Sequence, residues 1–163
     1  MKAAAVLRKE IPDWQLYIYG SGEDEKSLQD LRKQLNLEDF VFLNPATDQV
    51  KEKLCDSGIY VMTSRFEGLP MTLIESQSCG VPIVSFDCDC GPAEIITDGV
   101  DGFLVPQDDI VQFVQAVVKL ARDEDLRRQF GAAAKLNSQR FAPEKIAEIW
   151  QNLFNDLTKN TTK

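Results

Sequence analysis

Short apolar runs alternate along the chain with amphipathic helical segments, and this alternation limits the possible folds more than any other feature. The strand-like runs are apolar throughout rather than at every second residue, which indicates strands buried on both faces. Such strands separated by helices are typical of an α/β fold, so we predict a doubly wound, Rossmann-like parallel sheet. The five predicted strands are Trp14–Tyr19, Phe40–Leu43, Ile59–Met62, Ile83–Phe86 and Phe103–Val105.

Helical patterns separate these strands and follow the last of them. One helix is predicted over Pro70–Cys79, with a proline in its first turn and Gly80 at its C-terminal cap. The final helix begins at Pro143 and carries a long apolar stripe that we expect to pack on the domain's own core; docking onto a second lobe is the alternative. The stripe consists of Ile146, Ile149, Trp150, Leu153, Phe154 and Leu157.

The chain opens inside a predicted helix, Ala3–Lys9, with no strand before it. A doubly wound sheet normally begins with a strand that lies near the middle of the sheet. We therefore expect the sheet to lack its first strand or to close around the gap, with exposed apolar surface that favours self-association. We place one N-terminally truncated lobe at residues 1–157 and a polar tail at residues 158–163, which we expect to fray.

Composition excludes several classes of protein. None of the 163 residues is a histidine, which removes Ser-His-Asp and Cys-His catalysis and every metal site that needs imidazole. The net charge of −8 argues against a nucleic-acid partner. No stretch approaches the roughly 20 apolar residues of a membrane span, and no signal peptide is recognisable. The four cysteines do not form paired CxxC motifs, so we expect reduced thiols in a cytoplasmic protein.

The segment from Thr63 to Glu75 is the densest group of residues that could carry chemistry. It follows a predicted strand and runs into a helix, so it lies where open α/β sheets bind ligands. Free amides at the helix start, around Leu69–Thr72, favour an anion such as a phosphate. Glu75 has apolar neighbours in sequence, an unusual setting for a carboxylate without a function, and it could accept hydrogen bonds from the diol of a ribose. A capping acid at Glu67 and an ordinary helical Glu75 explain the spacing equally well.

Seven residues separate Glu67 from Glu75, and the run resembles the E-x7-E signature of retaining glycosyltransferases with the GT-B fold, the glycosyl transferases group 1 family. The resemblance covers roughly Ala3 to Leu157 and corresponds to the C-terminal, nucleotide-sugar-binding lobe of that family. Other segments are similar to the family in the same order: Tyr17–Gly22, Glu75–Val84, Gly91–Ile96 and Asp101–Val105.

The resemblance implies roles for individual residues. Glu67 would approach the donor sugar as the catalytic residue, and Glu75 would hydrogen-bond the nucleotide ribose. The backbone around Asn44 and Pro45 would border the base, and the backbone of the helix start would face sugar and phosphate. With Glu75, the donor-binding residues are therefore Gly22, Asn44, Pro45, Gly68, Leu69, Pro70, Met71 and Thr72.

The implied reaction is transfer of a glycosyl group from a nucleotide-diphosphate sugar, of UDP or GDP type, with retention of configuration. The acceptor would be a sugar or a lipid-linked sugar in cell-envelope or polysaccharide synthesis, used in the cytoplasm or at the inner face of the membrane. The nucleotide sugar is a substrate, and the resemblance implies no cofactor and no metal. The leaving phosphate itself assists the acceptor in the mechanism usually proposed, which suits a chain without histidine.

Two parts of the family pattern are missing. The family's lobe starts with a strand that ends in Gly-Arg and is followed by a lysine, and these two cations clamp the pyrophosphate. The N-terminal, acceptor-binding lobe is absent as well. We therefore expect the chain alone to be inactive and to bind donor weakly. The alternatives are a non-catalytic nucleotide-binding remnant and a GT-B-like nucleotide-sugar epimerase, which the lack of histidine disfavours.

Several other motifs have simpler interpretations. Asp87–Asp89 imitates the DxD metal motif of the other large glycosyltransferase fold, but we interpret the segment as a loop. Cys88 and Cys90, one residue apart, could suggest a thiolate metal site, but no second pair of cysteines has ligand spacing. Arg65 is interpreted as a surface arginine, and the Asp-Gly pairs beginning at Asp98 and Asp101 as turns.

Overall fold

The computed structural model describes residues 1–160 and alternates helices with strands, as the sequence pattern predicts. All five predicted strands are present, with their ends shifted by two residues or fewer. In chain order the elements are α1 (Lys2–Glu10), β1 (Leu16–Tyr19), α2 (Glu25–Gln34), β2 (Val41–Asn44), α3 (Val50–Cys55), β3 (Tyr60–Met62), α4 (Met71–Ser78), β4 (Ile83–Asp87), α5 (Pro92–Ile95), β5 (Gly102–Pro106), α6 (Ile110–Arg122), α7 (Glu124–Ser138), a 3-10 turn (Gln139–Phe141) and α8 (Pro143–Asn160).

The strands form two parallel sheets rather than one continuous sheet. Strand β1 pairs with β2, so that Tyr19 lies opposite Asn44, and the second sheet has the order β3-β4-β5. No backbone pairing joins the two sheets within residues 1–160, which is the division expected of a doubly wound sheet with one strand missing between its halves.

Both sheets contribute to one hydrophobic core. Val41 of β2 and Val84 of β4 are fully buried in it, and α1, α6 and α7 cover it. Helix α1 packs along α6 with Leu7 buried in the core, and the Arg8 guanidinium donates hydrogen bonds from Nε and Nη2 to the Asp39 carboxylate. The two-stranded sheet is thus held to the rest of the domain by side-chain packing although no backbone hydrogen bonds bridge β1 and β3 in residues 1–160.

A second buried cluster lies beneath α4 and fixes its position, with Leu73 of α4 packed against Ile83 and Ile95. Gly80 ends the helix with φ +74°, as the sequence predicts for its C-terminal cap. The backbone of Gly80 touches Gly131 of α7 so closely that a Cβ atom on Gly131 would overlap the Gly80 carbonyl. The contact between two glycines therefore sets how closely α4 and α7 approach.

We expect Gly131→Ala to lower the free energy of unfolding by about 2 kcal/mol, because the added methyl group must force α4 and α7 apart. This expected loss of stability is opposite in sign to the effect of helix propensity, which favours alanine over glycine by about 1 kcal/mol. Urea unfolding followed by circular dichroism measures the difference. Ala132→Gly on the exposed face of α7 is the control and should cost only the propensity difference; a stabilised Gly131→Ala variant would contradict the close-contact argument.

The apolar stripe of α8 is exposed, so the prediction that it packs on the domain's own core is wrong. Ile149 is 62% exposed and Phe154 is 54% exposed. Helix α8 packs chiefly against the 3-10 turn that precedes it, because α6 and α7 already cover the core. The helix continues to Asn160, so residues 158–160 of the predicted tail are helical, and residues 161–163 lie outside the described part of the chain.

Candidate functional site

The loop after β3 and the start of α4 form the candidate site at the carboxyl edge of the three-stranded sheet. Glu67 is half-buried on this loop, and Glu75 lies on α4 with its side chain exposed to solvent. The exposure of Glu75 corrects the expectation of an apolar setting: Leu73, two positions earlier on the helix, takes the core-facing direction instead. A solvent-facing carboxylate is well placed to receive a ligand.

Tyr60, the first residue of β3, contacts the helix that carries Glu75. Its phenol hydroxyl donates a hydrogen bond to the Oγ1 atom of Thr72 at 3.0 Å, which joins β3 to the first turn of α4. Burial raises the pKa of Tyr60, and the negative charges of Glu67 and Glu75 raise it further. The charges of both carboxylates thus shift the pKa of one hydroxyl group in the same direction. The sequence pattern predicted Tyr60 only as a strand residue, because residue spacing does not indicate that its hydroxyl contacts Thr72.

The loop after β4 packs against the same site. Gly91 is buried with φ +120°, and a Cβ atom there would lie 2.5 Å from Cδ of Pro70 and 3.0 Å from the carbonyl oxygen of Gly68. Only glycine fits this position without strain. Burial raises the pKa of Cys88, and the charge of Glu67 raises it as well. Glu67 thus lies next to the loop after β4 as well as near Tyr60.

The amino end of α4 is open. Pro70 precedes the helix and provides no side-chain cap, and Met71 and Leu69 are each about half exposed. The first amides of an α-helix have no acceptor within the helix, and the N–H of Leu73 is paired with the carbonyl oxygen of Pro70. The start of α4 therefore has first-turn amides without an acceptor inside the helix, and anion binding there stays a prediction.

A buried polar cluster anchors α4 from below. Asp101 is 1% exposed and accepts hydrogen bonds from the Thr97 N–H at 2.8 Å, Gln77 Nε2 at 3.2 Å and Asn137 Nδ2 at 2.5 Å. The Ile95 carbonyl oxygen accepts from the same two amide groups. The sequence indicated only a turn at Asp101. The structure shows that its carboxylate also links the site helix α4 to α7.

The remaining predicted donor-binding residues lie at the carboxyl edge of the two-stranded sheet. The Gly20 N–H donates to the Asn44 carbonyl oxygen at 3.0 Å, and the Asn44 side chain donates to the Phe42 carbonyl oxygen at 3.1 Å. Gly22 and Pro45 are exposed beside them. The structure therefore groups Gly22, Asn44 and Pro45 at this edge, while Glu67 to Glu75 lie at the edge of the other sheet.

The Arg65 side chain is exposed, and its Nε atom lies 3.7 Å from Oδ1 of Asp108. Within residues 1–160, no three or more cysteine, aspartate or glutamate side chains are arranged to hold a metal ion.

None of the helices in the described chain is both long and apolar enough to cross a membrane.

The parallel α/β fold, with acidic residues around a helix start at its carboxyl edge, defines one Rossmann-like lobe of the GT-B class. The chain belongs to the glycosyl transferases group 1 family, whose sequence model matches residues 1–137.

Curated relatives support this membership. The chain is 37% identical over 153 residues to an uncharacterized glycosyltransferase of Haemophilus influenzae, a match that covers 94% of the chain and 43% of the relative. It is 38% identical over 142 residues to the amylovoran biosynthesis glycosyltransferase of Erwinia amylovora, covering 87% of the chain and 40% of that protein. The chain thus spans less than half the length of these relatives.

A solved structure shows the same fold. The S. aureus protein TarM, crystallised as a mutant in complex with fondaparinux, alpha-GlcNAc-glycerol and UDP, superposes with a TM-score of 0.89 at 30% identity. The match covers 94% of the present chain and 31% of TarM. About a third of a longer protein therefore corresponds to nearly the whole chain.

Proposed function

We propose that this chain is the donor-binding lobe of a retaining glycosyltransferase that transfers a glycosyl group from a nucleotide-diphosphate sugar in cell-envelope or polysaccharide synthesis. The nucleotide sugar enters as a substrate, so the proposal requires no cofactor and no metal ion. The amylovoran relative supports a polysaccharide product by its name, and the UDP bound to TarM supports a uridine nucleotide as the first ligand to test.

One observation carries the proposal: two carboxylates flank an open helix start along the chain, and the charge of each raises the pKa of the same tyrosine. Glu67 precedes α4 on the loop, Glu75 follows on the helix, and both act on Tyr60. A pyrophosphate at the amino end of α4 would face unpaired amides and the positive end of the helix dipole. The two ends of the nucleotide sugar would then extend towards different glutamates.

The two glutamates would have different functions. Glu75, exposed on α4, can accept hydrogen bonds from both hydroxyls of a ribose. Glu67, half-buried against the loop after β4, would approach the sugar, where charge develops as the glycosidic bond breaks. The edge at Asn44 and Pro45 would border the base. No histidine is available to move a proton, so the leaving phosphate would assist the acceptor.

Ligand class tests the proposal directly. We expect saturation-transfer NMR to show UDP or GDP in contact with the chain at millimolar concentration, which corresponds to a binding free energy of about −4 kcal/mol. Weak binding is expected because the segment 70–74 at the start of α4 contains no lysine or arginine to pair with the phosphates.

A matched variant locates the ligand. Glu75→Gln should reduce the UDP saturation signal, whereas Glu38→Gln should leave it unchanged because Glu38 precedes β2 and so lies at the opposite edge of its sheet. A preference for NAD over both UDP and GDP would overturn the donor-binding assignment. Equal loss of signal in both variants would show that the nucleotide binds through net charge and not at the proposed site.

A further inference from the structure

Two cysteines far apart in sequence meet beside the site helix. Cys55 is the last residue of α3, and Cys79 is the residue that caps the C-terminal end of α4. Their Sγ atoms are 2.8 Å apart, and both are free thiols. Because a disulfide bond is about 2.05 Å long, the two sulfur atoms need to move together by less than about 1 Å to bond.

The surrounding structure holds Cys79 in this position. Its thiol is directed towards α3, where it also contacts the Lys51 carbonyl oxygen at 3.8 Å. Burial, and then the contact with Cys55, raise the pKa of Cys79 to about 11. Cys55 is exposed to solvent. The Cys55 thiol is therefore accessible to an oxidant, and the Cys79 thiol is held next to it by the surrounding structure.

We propose that Cys55 and Cys79 are a reversible disulfide site that links α3 to α4 under oxidising conditions, with hydrogen peroxide as the oxidant. The site is separate from donor binding and does not depend on it. The pair encloses residues 55–79, which include β3, the loop with Glu67 and the whole of α4. Oxidation would thus join the two ends of the segment that carries the candidate site.

The chemistry takes two steps. The Cys55 sulfur attacks one oxygen of the peroxide, the O–O bond breaks, and the departing hydroxide takes the thiol proton to leave as water. Cys55 is then a sulfenic acid. The Cys79 sulfur attacks the Cys55 sulfur, the S–O bond breaks, and the second hydroxide leaves as water with the Cys79 proton. Two thiols are oxidised, one peroxide is reduced, and two waters form.

The chain provides an internal control for selectivity. Cys88 and Cys90 are only two residues apart, but Cys88 is buried in the loop after β4 while Cys90 is exposed with φ +61°. If sequence distance governed pairing, these two would link first. If the folded structure governs it, Cys55 and Cys79 link first.

Peptide mapping of the folded chain after treatment with one equivalent of peroxide decides between these outcomes. We expect a monomer that has lost two hydrogen atoms, with a single crosslink between Cys55 and Cys79, and full reversal by dithiothreitol. Cleavage after acidic residues separates all four cysteines, since the sequence between them contains Asp56, Glu67, Glu75, Asp87 and Asp89.

Variants and stability complete the test. Cys55→Ser and Cys79→Ser should each abolish the crosslink, whereas the double variant Cys88→Ser with Cys90→Ser should retain it. The oxidised chain should melt about 5–15 °C above the reduced chain, because the crosslink restricts the unfolded state. A Cys88–Cys90 link, intermolecular dimers alone, or over-oxidised thiols without a crosslink in a folded sample would overturn the proposal. An equal yield of the Cys55–Cys79 crosslink in concentrated urea would also overturn it, because in the unfolded chain the two thiols meet only at random.

Discussion

Asp101→Ala is expected to lower the free energy of unfolding by about 3–5 kcal/mol, because it leaves buried donors without their acceptor. The carboxylate is almost completely buried, and it accepts from the Thr97 N–H and from the side-chain amides of Gln77 and Asn137. Burying an unpaired amide or N–H costs roughly 1–3 kcal/mol each. The Ile95 carbonyl oxygen still accepts from both side-chain amides, which keeps the total below the simple sum.

Urea unfolding of three variants checks this prediction. Asp101→Asn keeps one acceptor oxygen and should cost about half as much as Asp101→Ala. Asp98→Ala is the control, because the exposed Asp98 side chain accepts a single bond from the Leu104 N–H and should contribute only about 1 kcal/mol. Asp101→Ala within 1 kcal/mol of Asp98→Ala would show that the polar cluster does not anchor α4.

Strand β4 could be predicted from the sequence because it is buried from Ile83 to Phe86 and three of these four residues are apolar. The expectation of burial on both faces is wrong for β1, where Tyr17 and Tyr19 are exposed. The start and end of α4 were also predictable, since Pro70 and Gly80 are local signals for a helix start and a helix end. Helix ends and buried strands can both be predicted from short stretches of sequence, because the residues that determine them are close together in the chain.

Features that depend on partners far along the chain could not be predicted in this way. The apolar stripe of α8 has the same pattern whether it is buried or exposed, and only the packing of α6 and α7 on the core leaves it outside. Asp101 is followed by glycine as many turn residues are, and nothing nearby indicates that Asn137 lies against it. The contact between Cys55 and Cys79 likewise arises only when α3 and α4 pack together.

The candidate site could be predicted from the sequence only in part. The spacing of Glu67 and Glu75, through its resemblance to a family signature, indicated which carboxylates to consider. It did not indicate that Tyr60 lies near both, or that the loop at Gly91 closes over Gly68 and Pro70. Tyr60 begins β3 and Gly91 follows β4, so these neighbours come together only once the two strands pair.

The largest effect on activity is expected at Glu67. When this chain forms the C-terminal lobe of a two-lobed glycosyltransferase, Glu67→Gln should lower turnover by about 100- to 1000-fold with little change in UDP affinity. Its carboxylate would face the donor sugar, where positive charge and geometry change as the glycosidic bond breaks. An interaction made mainly in the transition state affects kcat rather than ground-state binding.

Glu75→Gln, measured in the same protein, separates positioning of the nucleotide from chemistry. A ribose contact is made equally in ground and transition states, and a hydrogen bond to a charged group contributes about 1.5–3 kcal/mol. Glu75→Gln should therefore raise the donor dissociation constant by roughly ten- to a hundredfold and leave turnover at saturating donor nearly unchanged. If Glu67→Gln impairs UDP binding while Glu75→Gln spares it, the two roles are reversed. If both variants match the parent in turnover and affinity, the two carboxylates are ordinary surface acids, and the amino end of α4 is not a donor site.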